Sequence, residues 1–295
     1  MYYTADSQIF VDGKWVKPAE ATVSLFSQTM HYGMSIFEGI RSYANPDGHT
    51  IFKAKEHYER LHEGCELLYM KVPYTVEELI AINEELLERN GLTNAYVRPL
   101  VYSGEHMSLN PSTTFGFMMA AWEWDKYHGN NGIRVMTSSF ERPNPKSIHM
   151  RAKAGGHYVN SVISTREAKL KGFDEALLYD HDRYLAEASS ANVFLQKGDM
   201  LVTPQVGNIL PGITRATIIE LARSQGIEVI ETRLREEDVK SADSMFFVGT
   251  AAEVVGVSLL DEYEFPVKWE NSIGAKLGAA YSKLVRSSDQ RIVAV

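Results

Sequence analysis

The sequence predicts an α+β fold in two domains, and three observations carry that prediction. Strand-like runs and amphipathic helical runs are interspersed along both halves of the chain. A polar, Gly/Asn-rich stretch, DKYHGNNG from Asp125 to Gly132, interrupts them as a linker does. The 295 residues, 44% of them hydrophobic, suffice for one large core or two domains. The expected division is 1–124 for a smaller N-terminal domain, 125–132 for the interdomain loop and 133–295 for a larger C-terminal domain.

The elements follow from local pattern. QIFVDGKWVKP reads as a hairpin turning at Asp12-Gly13. Strand-like SIFEGIRSYA, a turn at Asn45-Pro46-Asp47-Gly48 and the short strand HTIF come next. KAKEHYERLHEGCELLYM places Leu61, Cys65 and Leu68 on one helical face. YTVEELIAINEELLERNG opens with the capping box Thr75-x-x-Glu78 and closes at Gly91. NAYVRPLVYSG and TTFGFMMAAWEW are strands. Beyond the linker, IRVMTSSF is a strand, VNSVISTREAKLKG a helix and DEALLYD a strand. NVFLQKGDMLVTP is a hairpin turning at Lys197-Gly198-Asp199. LPGITRATIIELARSQG is a helix with Thr214 near its start and Gly226 at its end. The strands IEVIETRL and SMFFVGT and the amphipathic helix SIGAKLGAAYSKLV complete the chain.

Bulk composition narrows the function. With 30 Lys+Arg against 38 Asp+Glu the net charge is -8, which gives no long-range attraction to nucleic acid or to an anionic membrane. An anionic ligand then needs a local cluster of donors. The single cysteine, Cys65, cannot form an internal disulfide and reads as core filler in a reducing cytoplasm. MYYTADSQIF lacks the basic flank and apolar run of a signal peptide, and the longest obvious apolar run, Phe115 to Trp122, is too short to span a bilayer. The nine histidines form no HxxxH pair or HExxH, so no metal is expected. GxGxxG, GxxxxGK[ST] and GxSxG are absent as well.

Lysine chemistry remains. AKAGGHYVNS, residues Ala152 to Ser161, sets Lys153 among small residues, ahead of His157-Tyr158. A lysine amine titrates near 10.4, and bringing it to about 7 to 8 takes roughly 4 kcal/mol of desolvation or cationic repulsion. An amine so treated forms Schiff bases with carbonyl cofactors; the plain alternative is a solvated lysine on a glycine-rich loop. Glu187, in the otherwise small and neutral YLAEASSANVF, is a carboxylate placed to meet a cationic ring nitrogen, or an ordinary edge-strand glutamate. LPGIT-R offers free N–H groups at a helix start for a phosphate. Arg60 adds a charged fork, or pairs with Glu56 one turn earlier. Gly249-Thr250-Ala251-Ala252, after SMFFV, brings backbone amides to an anion or marks a tight turn.

In order along the chain, HYGMSIFEGIR, EHYERLH, AYVRPL, KAGGHY, AEASSANVF, LPGITR and GTAAEV resemble the blocks of the branched-chain aminotransferases, class IV pyridoxal phosphate enzymes, from about Ile9 to Val257. The resemblance implies the two-domain fold type IV: a smaller N-terminal α/β domain, a larger pseudo-barrel C-terminal domain that binds the cofactor, and the cofactor in the interdomain cleft. It also implies a homodimer or an assembly of dimers. Pyridoxal 5′-phosphate would form a Schiff base with Lys153, which also moves the proton between substrate Cα and cofactor C4′. Tyr158 would bond the phenolic oxygen and Glu187 the ring nitrogen, while Arg60, Ile213, Thr214 and Thr250 would cradle the phosphate. On the substrate side, Phe37, Tyr32 and Tyr127 would wall an apolar pocket and Gly39 would leave room for the substrate. Arg98, with Tyr96 and Tyr32, would take the side-chain carboxylate of glutamate, and Thr250 and Ala251 would offer N–H groups to the α-carboxylate. Met107 and Leu109 match a loop that reaches the neighbouring subunit's pocket.

The implied reaction is a ping-pong transfer from L-leucine, L-isoleucine or L-valine to 2-oxoglutarate. Departures from the family pattern lie at His157, in ASSAN and in HMSLN. A D-amino-acid transaminase would carry an Arg-x-His pair where this chain reads SGEHMSLN. An aminodeoxychorismate-type lyase fits the FEGIR block and Arg98 poorly, and a non-catalytic binding protein has no use for Lys153, Tyr158 and Glu187 together.

Overall fold

The computed structural model of the chain describes residues 2–124, 132–289 and 291–292. Residues 125–131 of the expected linker, with Tyr127 among them, lie outside the described residues. Two compact units emerge: Met1–Asp125 with Ala152–Tyr158, and Lys126–Arg151 with Val159–Val295. Sequence order puts Ala152–Tyr158 after the linker, yet this segment packs into the first unit. Ala152 and Ala154 are 2% exposed and belong to its core, Ala154 bridges Ile36, and the Phe37 N–H donates to the Lys153 carbonyl at 3.1 Å.

The first unit contains β1 (Ile9–Val11), β2 (Lys14–Val16), α1 (Gln28–Tyr32), β3 (Ser35–Phe37), β4 (Ile40–Asn45), β5 (Gly48–Ile51), α2 (Ala54–Leu67), α3 (Val76–Asn90), β6 (Ala95–Ser103) and β7 (Phe115–Glu123). Its antiparallel sheet runs β2-β1-β7-β6-β4-β5, and β3 also pairs β6. Asp12 and Gly13 both have positive φ, 47° and 84°, as a two-residue hairpin turn of matching twist requires. The single run read from SIFEGIRSYA is split at Glu38-Gly39. Glu38 donates its N–H to the Pro99 carbonyl at 3.0 Å, but Pro99 has no N–H to return, so the ladder lapses there. Thr75 and Glu78 form the expected capping box on α3, and Gly91 ends that helix in the left-handed region. Leu61, Cys65, Leu79, Leu86, Val97 and Phe117 are fully or almost fully buried beneath the two helices. Burial pushes the Cys65 thiol up to about 12, in keeping with its place as core filler.

The second unit contains β8 (Ile133–Thr137), α4 (Tyr158–Leu170, whose first residue counts with the first unit), β9 (Glu175–Tyr179), β10 (Leu185–Ala188), β11 (Asn192–Lys197), β12 (Met200–Pro204), α5 (Ile213–Ser224), β13 (Val229–Thr232), α6 (Glu236–Lys240), β14 (Ser244–Gly249), β15 (Glu253–Leu260) and α7 (Ile273–Val285). Its mixed sheet runs β10-β9-β8-β15-β14-β11-β12-β13. The β8–β9, β8–β15 and β12–β13 pairs are parallel. Val193, Leu195, Met245 and Phe247, on neighbouring strands, supply the core of one face.

The glycines around Lys153 stand in close packing contact. A Cβ at Gly155 would stand 2.3 Å from Ser35 Oγ, and one at Gly33 would stand 2.6 Å from Gly156 Cα. The glycines let two backbones touch. Gly33 (φ 70°) caps α1, and Gly91 (φ 64°) caps α3 with nothing within 4 Å of its missing Cβ. Gly91→Ala should therefore cost about 1 kcal/mol for the left-handed backbone alone. Gly33→Ala should add an overpacking cost of roughly 1–3 kcal/mol. Urea midpoints of the two variants check this, and equal costs would mean that the Gly33–Gly156 approach carries no weight.

Candidate active site

In the first unit, the pairing of Ala154 with Ile36 delivers the Lys153 side chain to the end of β3. Its Nζ donates to Tyr158 Oη at 2.7 Å. The same ammonium lies 5.0 Å from the Phe37 ring centroid and 5.1 Å from that of Tyr158, and the two rings meet edge to face at 4.7 Å. The lysine is thus held by the Tyr158 phenol and lies against the Phe37 ring.

Arg60 does not take the helical partner that sequence distance suggested, because Glu56 pairs with Lys53 instead, at 2.9 Å. Arg60 reaches Glu38 through two parallel bonds, Nε to Oε1 at 2.7 Å and Nη2 to Oε2 at 2.8 Å. His57, one turn earlier on α2, adds its Nδ1 to Glu38 Oε2 at 2.8 Å. Burial alone would push the Glu38 carboxyl up, but the Arg60 guanidinium and the His57 ring hold it well below the usual carboxylate range. Burial pushes the His57 ring down; Glu38 offsets this in part, while Arg60 and Lys153 add to it.

A third group lies on β6. Arg98 Nη2 donates to Tyr96 Oη at 2.9 Å. The guanidinium carbon lies 4.6 Å from the Phe37 ring centroid and, at the hydroxyl end of Tyr96, 5.2 Å from that ring's centroid. Tyr96 in turn leans on Trp122 and Trp124, with centroids 5.1 and 5.2 Å away. Gly39 faces Tyr96 directly, and Phe37 is 8% exposed. Tyr32, 47% exposed, donates its hydroxyl to the Met107 carbonyl at 3.0 Å, and Met107 and Leu109 are exposed at 45% and 84%. Of the expected pocket residues, Phe37, Gly39, Tyr96 and Arg98 form one contiguous group, in which Phe37 meets Lys153, and Tyr32 bonds the loop that carries Met107 and Leu109.

In the second unit, Glu187 sits on edge strand β10 and yet is only 4% exposed. Its carboxylate accepts from Arg142 Nη2 at 2.6 Å, from Asn192 Nδ2 at 2.9 Å and from the Leu210 N–H at 3.2 Å. Sequence reasoning did not single out Arg142, whose partner is 45 residues away. A buried carboxylate with charged and neutral donors is the acid type that a protonated ring nitrogen requires. Ile213 and Thr214 open α5 behind Gly212, where no side chain caps the helix. The first-turn N–H groups are then available to a phosphate, which fits the expected cradle. Thr250 and Ala251 follow β14 in a turn. Among the described residues no group of three or more His, Cys, Asp or Glu is placed to hold a metal ion.

Comparison with known proteins gives a consistent result. The Amino-transferase class IV family profile matches residues 35–260. The branched-chain-amino-acid aminotransferase of Pseudomonas aeruginosa is 38% identical over 286 residues, 95% of this chain and 93% of that one. Among solved structures, the T.th. branched-chain amino acid aminotransferase complexed with N-(5′-phosphopyridoxyl)-L-glutamate superposes with a TM-score of 0.93 at 36% identity, covering 97% of this chain and 96% of that one. The Escherichia coli branched-chain amino acid aminotransferase superposes with a TM-score of 0.92 at 33% identity, covering 97% and 98%.

The Arg142–Glu187 pair has side chains 9% and 5% exposed, so removing one partner strands a buried charge. Arg142→Met should cost roughly 3–5 kcal/mol in urea unfolding, and adding Glu187→Gln should recover part of it. A cost under about 1 kcal/mol would mean that Asn192 and the Leu210 amide carry the carboxylate unaided.

Proposed function

The chain belongs to the class IV aminotransferase family, and on that premise we infer a pyridoxal 5′-phosphate-dependent aminotransferase of branched-chain amino acids. Its fold is the two-domain fold type IV. L-leucine, L-isoleucine and L-valine are the proposed donors. The proposed acceptor is 2-oxoglutarate, so that branched-chain 2-oxo acids and L-glutamate leave in the two halves of a ping-pong cycle. The observation that carries the assignment of roles is the Lys153–Tyr158 contact at 2.7 Å against the Phe37 ring.

Pyridoxal 5′-phosphate supplies a carbonyl carbon for the amino group and a protonated ring that withdraws electrons from the breaking Cα–H bond. Lys153 is proposed as the amine joined to that carbonyl. Once freed from it, Lys153 would be the base that moves the proton between the substrate Cα and C4′, and Tyr158, already its hydrogen-bond partner, would hold the phenolic oxygen. Glu187 would keep the ring nitrogen protonated, and Arg142, Asn192 and the Leu210 amide hold its carboxylate in place. Arg60, the α5 N-terminus at Ile213 and Thr214, and Thr250 hold the phosphate. The Thr250 and Ala251 amides hold the substrate α-carboxylate, Phe37 faces its apolar side chain, and Arg98 takes the second carboxylate of the acidic partner. Met107 and Leu109 are assigned to a neighbouring subunit's pocket, and Tyr32 to the loop that presents them. A homodimer, or an assembly of dimers, in the cytoplasm belongs to the same proposal. Among the described residues no helix is long and apolar enough to cross a membrane.

The visible spectrum of the cofactor-loaded protein tests the reading. L-leucine should bleach the yellow band and 2-oxoglutarate should restore it, while D-alanine leaves it unchanged. Bleaching by D-alanine alone would overturn the branched-chain assignment. Lys153→Ala should retain no cofactor through borohydride reduction and denaturation, and a retained label would remove the role given to this lysine.

A further inference from the structure

We propose that Gly39 sets which second substrate the enzyme accepts, by leaving room for the Tyr96 hydroxyl that holds Arg98 and not for the substrate itself. The sequence suggested the opposite use of this glycine. A Cβ built on Gly39 would stand 1.9 Å from Tyr96 Oη and 2.6 Å from its Cζ. No real side-chain carbon tolerates either separation, so the space above Gly39 is already filled by the phenol.

The phenol has little freedom to yield. Tyr96 is 6% exposed, and its ring leans on Trp122 and Trp124. Arg98 depends on that fixed hydroxyl, because Nη2 donates to Oη at 2.9 Å while the guanidinium lies against the Phe37 ring. Arg98 Nε is buried and makes no hydrogen bond, so on the edge it shares with Nη2 the Tyr96 hydroxyl is the bonded partner. The Tyr96 hydroxyl therefore sets the tilt of the guanidinium plane beside the Phe37 ring. A methyl group at Gly39 pushes the hydroxyl off its position and, with it, the direction in which Arg98 presents its N–H groups. Carboxylate recognition by a guanidinium depends on that direction, whereas an apolar side chain resting on Phe37 does not need it. Gly39 is thus a positioning residue that acts through Tyr96 on Arg98.

The inference rests on the reading that Arg98 meets the second carboxylate of the acidic substrate, and the experiment separates the two. The holoenzyme is first converted to its aminated form. The rate of return to the yellow form is then followed against 2-oxoglutarate and, separately, against 4-methyl-2-oxopentanoate. Gly39→Ala should lower kcat/KM for 2-oxoglutarate by about tenfold more than for 4-methyl-2-oxopentanoate, as loss of one charge-assisted contact predicts. Tyr96→Phe, which keeps the stacked ring and removes only the hydroxyl, should shift the ratio in the same direction; it remains decisive if Gly39→Ala fails to fold. An equal loss for both acceptors in Gly39→Ala would mean that the glycine makes room for substrate after all and would overturn the inference. So would an unchanged ratio in Tyr96→Phe beside a shifted ratio in Arg98→Met. An unchanged ratio in Arg98→Met would instead overturn the reading of Arg98.

Discussion

The docking of Ala152–Tyr158 against β3 is the contact on which the arrangement around Lys153 depends. The Phe37 N–H to Lys153 carbonyl bond, the Ile36–Ala154 bridge and the bond from the Gly156 N–H to the Gly33 carbonyl fix a short stretch of backbone in register. Phe37 then lies at the strand end that receives Lys153, and the next residue, Glu38, turns toward α2. One backbone pairing thus aligns the amine, its aromatic floor and the carboxylate that steers Arg60. Side-chain hydrogen bonds refine this placement but do not create it, because each of those side chains starts from a backbone position the pairing has already set.

Local rules were enough for much of the fold. The Thr75–Glu78 box, the left-handed Gly91 cap and the Asp12-Gly13 hairpin involve neighbours in sequence, and all three are realised. Three elements went unread: α1 and α6 are single short turns, and β15 starts at Glu253, whose positive φ of 57° follows the small-residue turn after β14. Residues of the site were legible by type, and their partners were not. Sequence distance offered Glu56 to Arg60, but Glu38 captures it across the sheet–helix boundary. Arg142 is an arginine before a proline until the fold brings β10 beside it. The glycines around Lys153 and at position 39 signal a close approach, and only the fold reveals that the approaching groups are Ser35, Gly33 and Tyr96.

Two arginines with assigned anion partners are held by different physics. Arg60 is neutralised by a carboxylate and held bidentately. Arg98 instead lies against the Phe37 ring and is bonded to a neutral hydroxyl. A stacked guanidinium presents apolar-compatible faces as well as donors, so the same side chain can border a hydrocarbon group or receive an anion. That dual character suits a site which must take both kinds of side chain in alternating halves of one cycle.

Glu38 has a further consequence. With Arg60 and His57 satisfied internally, α2 carries no stranded cation, so folding of this unit does not have to wait for an anionic ligand. In the proposed cradle a phosphate would share an arginine that already has a carboxylate partner, and part of its binding energy would go into competing with Glu38. Under that reading Glu38 tempers the hold on the cofactor while giving Arg60 a counter-charge of its own.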